Sequence, residues 1–268
     1  LLGGEPLVYP NIYNVLEELH NRGYNINIST NGTFVTDNVA AKLSKLGVTY
    51  VQVSLDGASE KTNDRIRGNG SFRRAVNGIR NLLNNNINVG IMFTISKFNE
   101  KEIEGIVELA RSLGVPVVSF SRYIPIGISR LNKEFFENAL FTKEEYLKVI
   151  QRIHNISQQY KNIRIYMEDP LYYMYYLMNN KNLLEKIRYG GCTAGISVAA
   201  ILPNGNVYSC RRLPVTIGNV FTQDLLSIIK TSELVKLLRN RDNLKGKCGL
   251  CPYKWICGGC RGYAYALT

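Results

Sequence analysis

Short runs of β-branched and aromatic residues alternate along the first part of the chain with longer stretches whose apolar residues recur at helical spacing. The pattern predicts strands over 24–28, 49–53, 89–93 and 115–120. Helices are predicted over 38–46, 72–85, 100–113 and 142–159. Gly23, Gly47 and Gly114 each stand just before the next strand, where a helix closes on a left-handed residue. Such alternation builds a parallel sheet with covering helices. The aromatic-rich stretch Tyr172-Tyr173-Met174-Tyr175-Tyr176-Leu177-Met178 reads as a linking helix whose rings pack in a core. The division expected is an α/β domain over 1–165, a helical linker over 166–190 and a small domain over 191–268.

Active sites of parallel α/β folds lie at the carboxyl ends of the strands. The runs that follow the predicted strands share one character. Leu1-Leu2 leads into Gly3-Gly4-Glu5-Pro6, and the next two strands into Ser29-Thr30-Asn31-Gly32 and Ser54-Leu55-Asp56-Gly57. The last two lead into Thr94-Ile95-Ser96 with Asn99 beyond, and into Arg122 to Gly127. One polar turn means little, because turns favour Gly, Asn and Asp. Five on one face predict a pocket for a small, hydrogen-bonding ligand. A glycine doublet admits close backbone approach, Glu5 can accept from an ammonium, and Asn31, Ser54 and Asp56 suit sugar hydroxyls. An arginine can pair with a carboxylate. A ligand with amine, carboxylate and ribose satisfies this set.

All six cysteines fall between 192 and 260: Cys192 and Cys210, then Cys248, Cys251, Cys257 and Cys260 in a C-x2-C-x5-C-x2-C run. Disulfides staple small secreted domains, and the large first part has none to contribute. Paired C-x2-C knuckles gather thiolates around one point, as a metal or cluster requires. A zinc ribbon separates its knuckles by about 12–20 residues, and no histidine lies near, since His20 and His154 are both far upstream. Iron–sulfur ligation therefore ranks above zinc, and zinc above disulfides.

Composition changes the picture little. The chain of 268 residues is 45% hydrophobic and 20% charged, with a formal net charge of +12, and it contains no apolar run of membrane-spanning length. The first reading of that charge is a solvated lysine-rich surface; the second is attraction to an acidic partner. Arg65, Arg67, Arg73 and Arg74 lack the stacking aromatics of an RNA site. The chain opens on Leu1 and stops in the apolar run ending at Thr268, so both ends read as cut.

On these residues the sequence resembles the radical S-adenosylmethionine (SAM) enzymes that carry a SPASM auxiliary cluster domain. Gly3-Gly4-Glu5-Pro6 resembles the family's methionine-binding turn, and the segments at Thr30-Asn31 and Ser54-Asp56 its later strand-end motifs. Asp64 to Phe72 resembles the segment whose arginine meets the SAM carboxylate, with Arg67 the best match. Cys192, Gly205, Cys210 and Gly218-Asn219-Val220 resemble the opening of the SPASM signature, and Cys248-x2-Cys251-x5-Cys257 its second part. The resemblance implies a partial parallel (β/α) barrel followed by a small α+β cluster domain. It implies SAM bound by Gly3, Gly4, Glu5, Pro6, Thr30, Asn31, Ser54, Asp56, Arg67 and Thr94. It further implies one or two auxiliary iron–sulfur clusters, one on Cys248, Cys251 and Cys257, the other on Cys192, Cys210 and Cys260. The family's C-x3-C-x2-C motif, which holds the [4Fe–4S] radical cluster, is absent from these residues and is expected upstream.

The chemistry so implied is reductive cleavage of SAM and abstraction of hydrogen from an unreactive carbon, with catalytic side chains beyond the cofactor unassigned. Arg211 after Cys210 departs from the Asp of sulfatase-maturing members. Cys257-Gly258-Gly259-Cys260-Arg261 resembles members that mature tetrapyrroles, pyrroloquinoline quinone and other peptides. Arg211, Arg212 and Arg261 suit either tetrapyrrole carboxylates or charge balance at the clusters, and Trp255 suits shielding of a cluster. The implied partners are a peptide or tetrapyrrole and an acidic ferredoxin or flavodoxin, in the cytoplasm, with no membrane or nucleic acid. The rival classes are a non-catalytic iron–sulfur electron carrier and a zinc-stabilised nucleic-acid-binding module.

Overall fold

The computed structural model describes residues 1–127 and 137–268. The chain divides into two units, one built from Leu1–Tyr123 with Ala139–Glu168 and the other containing Asp169–Thr268.

In the first unit, β1 (Ile26–Thr30), β2 (Val48–Ser54), β3 (Asn88–Ile95), β4 (Val117–Arg122) and β5 (Arg164–Met167) lie side by side in chain order, every neighbour parallel. Right-handed crossovers in a strictly sequential order put all connecting helices on one face of the sheet. The residues obey that geometry. Ile28, Val51, Val53, Ile91, Phe93, Val118 and Phe120 point to one face and are buried. That face meets helix α4 (Ser71–Asn84): a Cβ on Gly32 would lie 2.7 Å from Val53 and 3.3 Å from Ala75. The opposite face carries Ser29, Gln52, Ser54, Thr94, Ser119 and Tyr166, linked across the ladder by the pairings Ser29↔Gln52, Ser54↔Met92, Thr94↔Ser121 and Ser119↔Tyr166. An apolar side for helices and a polar side free of them is the layout from which a partial barrel is made.

The strands run further than the pattern predicts. Ser29 and Thr30 complete β1, Ser54 completes β2, and Thr94 and Ile95 lie inside β3. Small polar residues read as turn, yet here parallel partners hold them in register. Leu1 sits beside β1: Ser29 N–H donates to Leu1 O at 2.9 Å and the Leu1 amino group to Asn27 O. β5 is four residues long, too short for its alternation to register in the sequence. Helix α3 (Glu60–Arg67) has one strongly apolar residue, Ile66, and no helical stripe; Ser59 starts it by capping Thr62 N–H. The glycine closures are as predicted, with φ of +73° at Gly23 and Gly47 and +75° at Gly114. His20 lies against Gly47.

Gly32 and Gly78 form a close contact that sets the turn after β1. A Cβ on Gly78, in α4, would fall 2.4 Å from the Gly32 carbonyl oxygen. Gly78→Val is expected to cost about 1–3 kcal/mol, because the obstacle is backbone and cannot swing aside. Urea unfolding measures this, and an unchanged midpoint would show that the turn yields freely.

The second unit opens with the helix Pro170–Met178, which Asp169 caps through Leu171 N–H. It contains an antiparallel sheet of β6 (Ala200–Ile201), β7 (Asn206–Cys210) and β8 (Leu213–Asn219). Gly205, with φ +80°, makes the β6–β7 turn, where a side chain would strike Asn219 and Phe221. A parallel α/β unit followed by a small α+β unit is the fold class expected. Among the described residues no helix is long and apolar enough to cross a membrane.

Candidate cofactor pocket and cluster sites

Two hydrogen-bonded knots shape the carboxyl ends of β1 to β3. The first is centred on Glu5. Its Oε1 accepts from Leu7 N–H (3.1 Å) and Thr30 Oγ1–H (2.7 Å), and its Oε2 from Asn31 N–H (2.7 Å). A carboxylate has about four acceptor positions, so one remains for an ammonium. The knot fastens the Gly3-Gly4-Glu5-Pro6 turn to the end of β1, with Pro6 opening a short 3-10 turn. Gly3 and Gly4 have nothing within 4 Å of where a Cβ would stand, leaving an open cradle above their backbone. Asn31 Oδ1 is taken by the Thr33 N–H and hydroxyl, and the amide nitrogen keeps its donors for a ligand.

The second knot is centred on Asp56, which is 5% exposed. Its Oδ1 accepts from Thr94 N–H at 2.8 Å, and Oδ2 lies 2.8 Å from Arg67 Nε. That N–H is not aimed along a hydrogen bond, so charge carries the attraction. Burial pushes the Asp56 carboxyl above its ordinary value, against the opposing pull of Arg67 and the Thr94 amide. Asn63 Oδ1 accepts from Asp56 N–H, and Asn99 Nδ2 donates to Asp56 O and Thr94 O. Arg67 ends α3 with a quarter of its side chain exposed.

Eight of the ten predicted pocket residues divide by what they do locally. Thr30, Asp56 and most of Glu5 hold the frame. Gly3, Gly4, Asn31, Ser54 and the outer guanidinium of Arg67 are presented at its edge. The Ser54 hydroxyl, on the polar face, makes no hydrogen bond among the described residues. Ser54→Ala is expected to weaken SAM binding by about 1–3 kcal/mol in the full-length enzyme, the cost of a lost hydrogen bond in a partly buried site. Calorimetric titration measures it, and unchanged affinity would remove Ser54 from the pocket.

No sequence pattern marks Glu102. Its carboxylate accepts from Ala58 N–H, Ser59 N–H, Ser59 Oγ–H and Thr62 Oγ1–H, fixing the loop between Asp56 and α3. Burial pushes this carboxyl up, and the four hydrogen bonds outweigh it to bring it below its ordinary value. Its partners lie more than 39 positions away, and a glutamate at a helix start looks like an ordinary end charge. Asp64 was missed as a cap: it binds Gly70 N–H, Phe72 N–H and Ser71 Oγ–H, joining α3 to α4.

None of the six cysteines is held in a disulfide. Burial pushes the Cys257 thiol up, and Cys248, Cys251 and Asp169 are close enough to add negative charge to the same effect. Cys192 N–H donates to Cys257 O at 2.9 Å. Three sulfurs have donors directed at them: Arg212 N–H at Cys210 (3.4 Å), Tyr263 N–H at Cys260 (3.4 Å) and Arg261 Nη2 at Cys248 (3.9 Å). Donors of this kind suit thiolates that ligate iron, whose potential they tune. Among the described residues, no three His, Cys, Asp or Glu converge on a position for a single metal ion. Trp255 is 38% exposed, with its ring 6.2 Å from that of Tyr189.

Known proteins fit this geometry. Residues 1–110 match the radical SAM superfamily, and residues 192–252 match the SPASM iron–sulfur cluster-binding domain. The chain belongs to the radical SAM superfamily, in its SPASM-bearing branch, and its cofactors are SAM and iron–sulfur clusters. It is 31% identical to the AdoMet-dependent heme synthase of Methanosarcina barkeri, over 100% of this chain and 78% of that protein. It is 29% identical to the mycofactocin maturase MftC of Mycobacterium tuberculosis, over 96% of this chain and 64% of that one. The crystal structure of Streptococcus suis SuiB bound to S-adenosylmethionine shares the fold, with a TM-score of 0.75 at 19% identity; the match covers 97% of this chain and 61% of SuiB.

Proposed function

We propose that this chain is the core of a radical SAM oxidoreductase or maturase whose substrate is a carboxylate-bearing iron tetrapyrrole. The observation that carries the reading is the likeness to a heme synthase along the whole chain. SAM, when bound, supplies one-electron, hydrogen-abstracting chemistry. The open backbone at Gly3 and Gly4 and the last acceptor position of Glu5 take its ammonium. Arg67, braced by Asp56, takes its carboxylate. Asn31 and Ser54 hydrogen-bond the remaining polar groups, and Thr94 lines the same edge. Gln52, Ser119 and Tyr166 on the polar face orient the substrate and keep bulk water from the reacting carbon.

The six cysteines hold the auxiliary clusters, Cys248, Cys251 and Cys257 together and Cys192, Cys210 and Cys260 together. Arg261 directs Nη2 at Cys248 (3.9 Å), which suits balance of cluster charge, while its Nε has no partner among the described residues and leaves the group able to meet a tetrapyrrole carboxylate. The net charge of +12 favours an acidic electron donor such as ferredoxin or flavodoxin, and cysteines used for cluster ligation rather than disulfides favour the reducing cytoplasm.

The test is 5′-deoxyadenosine formation by the full-length, anaerobically reconstituted enzyme with SAM and reductant. A propionate-bearing iron porphyrin is expected to stimulate it about tenfold or more. Stimulation by a peptide instead would move the assignment to peptide maturation. No SAM cleavage under any condition would favour a non-catalytic electron carrier.

A further inference from the structure

Arg241 is a buried cation with no carboxylate to meet it. It is 2% exposed, the largest fully buried side chain among the described residues. Its guanidinium donates to the carbonyls of Gly190 (2.6 Å), Cys192 (2.9 Å) and Trp255, and stacks over the Tyr189 ring with Cζ 4.1 Å from the centroid. A Cβ on Gly258 would lie 2.7 Å from Cζ, so glycine there makes room for the group. The adjacent carboxylate, Asp242, is engaged elsewhere, 2.9 Å from Lys254 Nζ. Among the described residues no acid pairs with Arg241.

Carbonyls satisfy the guanidinium's hydrogens and leave its net charge buried. Such a charge costs several kcal/mol unless an anion compensates it. The chain around it supplies one. Arg241 bridges the backbone at Cys192 to the backbone at Trp255, two residues before Cys257, and packs against Gly258 just after it. Each cysteine brings one negative charge when it ligates iron.

We propose that Arg241 is a positioning residue and internal countercharge between the two auxiliary iron–sulfur clusters, holding the Cys192 and Cys257 segments, one from each, in place and favouring the clusters' reduced, more negative states. This rests on the cluster assignment above. A fixed cation in a low-dielectric site raises the reduction potential of a nearby anionic cluster. The effect belongs to the charge, whereas clamping the two segments belongs to the fork of donors.

The experiment uses full-length protein, reconstituted anaerobically, as wild type, R241K and R241M. Iron and sulfide are quantified, and the auxiliary signal is titrated by electron paramagnetic resonance. R241M is expected to retain iron and shift to lower potential, the reduced-to-oxidised ratio at fixed potential falling about tenfold, or 59 mV for a one-electron couple. R241K is expected to remain near wild type. Full iron with an unchanged potential in R241M would overturn the countercharge role. If R241M takes up no iron, R241K decides: a near-wild-type potential supports the proposal, and a potential displaced tenfold or more overturns it. Failure of both variants to hold iron would reduce Arg241 to a structural clamp and overturn the countercharge role. Wild-type protein without auxiliary iron would instead refute the cluster assignment itself.

Discussion

Replacing Arg67 by Met is expected to destabilise the protein by about 3–5 kcal/mol at pH 8 and to abolish measurable SAM binding. The reason lies in Asp56, buried at 5% exposure between the ends of β2 and β3. Its carboxylate keeps a single hydrogen bond, from Thr94 N–H, once the guanidinium 2.8 Å away is gone. Burial already holds this carboxyl above its ordinary value, and loss of the cation raises it further. The sign of the pH dependence follows. A carboxyl with a raised folded pKa contributes stability below its unfolded value and loses it as pH rises through the folded one. The deficit of Arg67→Met should therefore shrink from pH 8 toward pH 5. Adding Asp56→Asn should recover most of it, since the amide oxygen still accepts from Thr94. Urea unfolding at the two pH values checks this. A pH-independent deficit, unrelieved by the second change, would show that Arg67 acts by packing alone.

Cys251→Ala in the full-length enzyme is expected to lose one cluster, about four iron atoms if that cluster is [4Fe–4S], while uncoupled cleavage of SAM persists. Substrate turnover should fall below detection. The segment from Cys248 to Cys257 consists of short turns and two four-residue helices, with little apolar core of its own, so ligation and local folding are one event. Iron and sulfide analysis with 5′-deoxyadenosine quantification makes the measurement. Retained iron would refute Cys251 as a ligand. Loss of SAM cleavage at normal iron would refute the division of labour between the two units.

How far the sequence reached can be judged residue by residue. The alternation of β-branched runs with amphipathic stretches named four of the five parallel strands, because each buries an apolar face and must show it. The glycines at 23, 47 and 114 closed helices as read, since a left-handed closure nearly demands that residue. The cysteine spacing and the glycine–glycine–glutamate–proline turn pointed to the family, because cluster ligation and close backbone approach tolerate few substitutes. These are local constraints, and local constraints leave a local mark.

The remainder was decided in three dimensions. No pattern marks Glu102 as the tie for the Asp56 loop, or Arg241 as the cation among carbonyls at 190, 192 and 255. Nor does the sequence reveal that Glu5 spends most of its hydrogen-bonding capacity, and Asp56 its charge, on the frame, leaving Asn31, Ser54 and Arg67 at its edge. A polar side chain carries the same letter whether its partner is a ligand or a backbone amide forty residues away. Only the folded chain fixes which of the two it meets, because hydrogen bonding is set by distance and direction between atoms that the sequence does not place together.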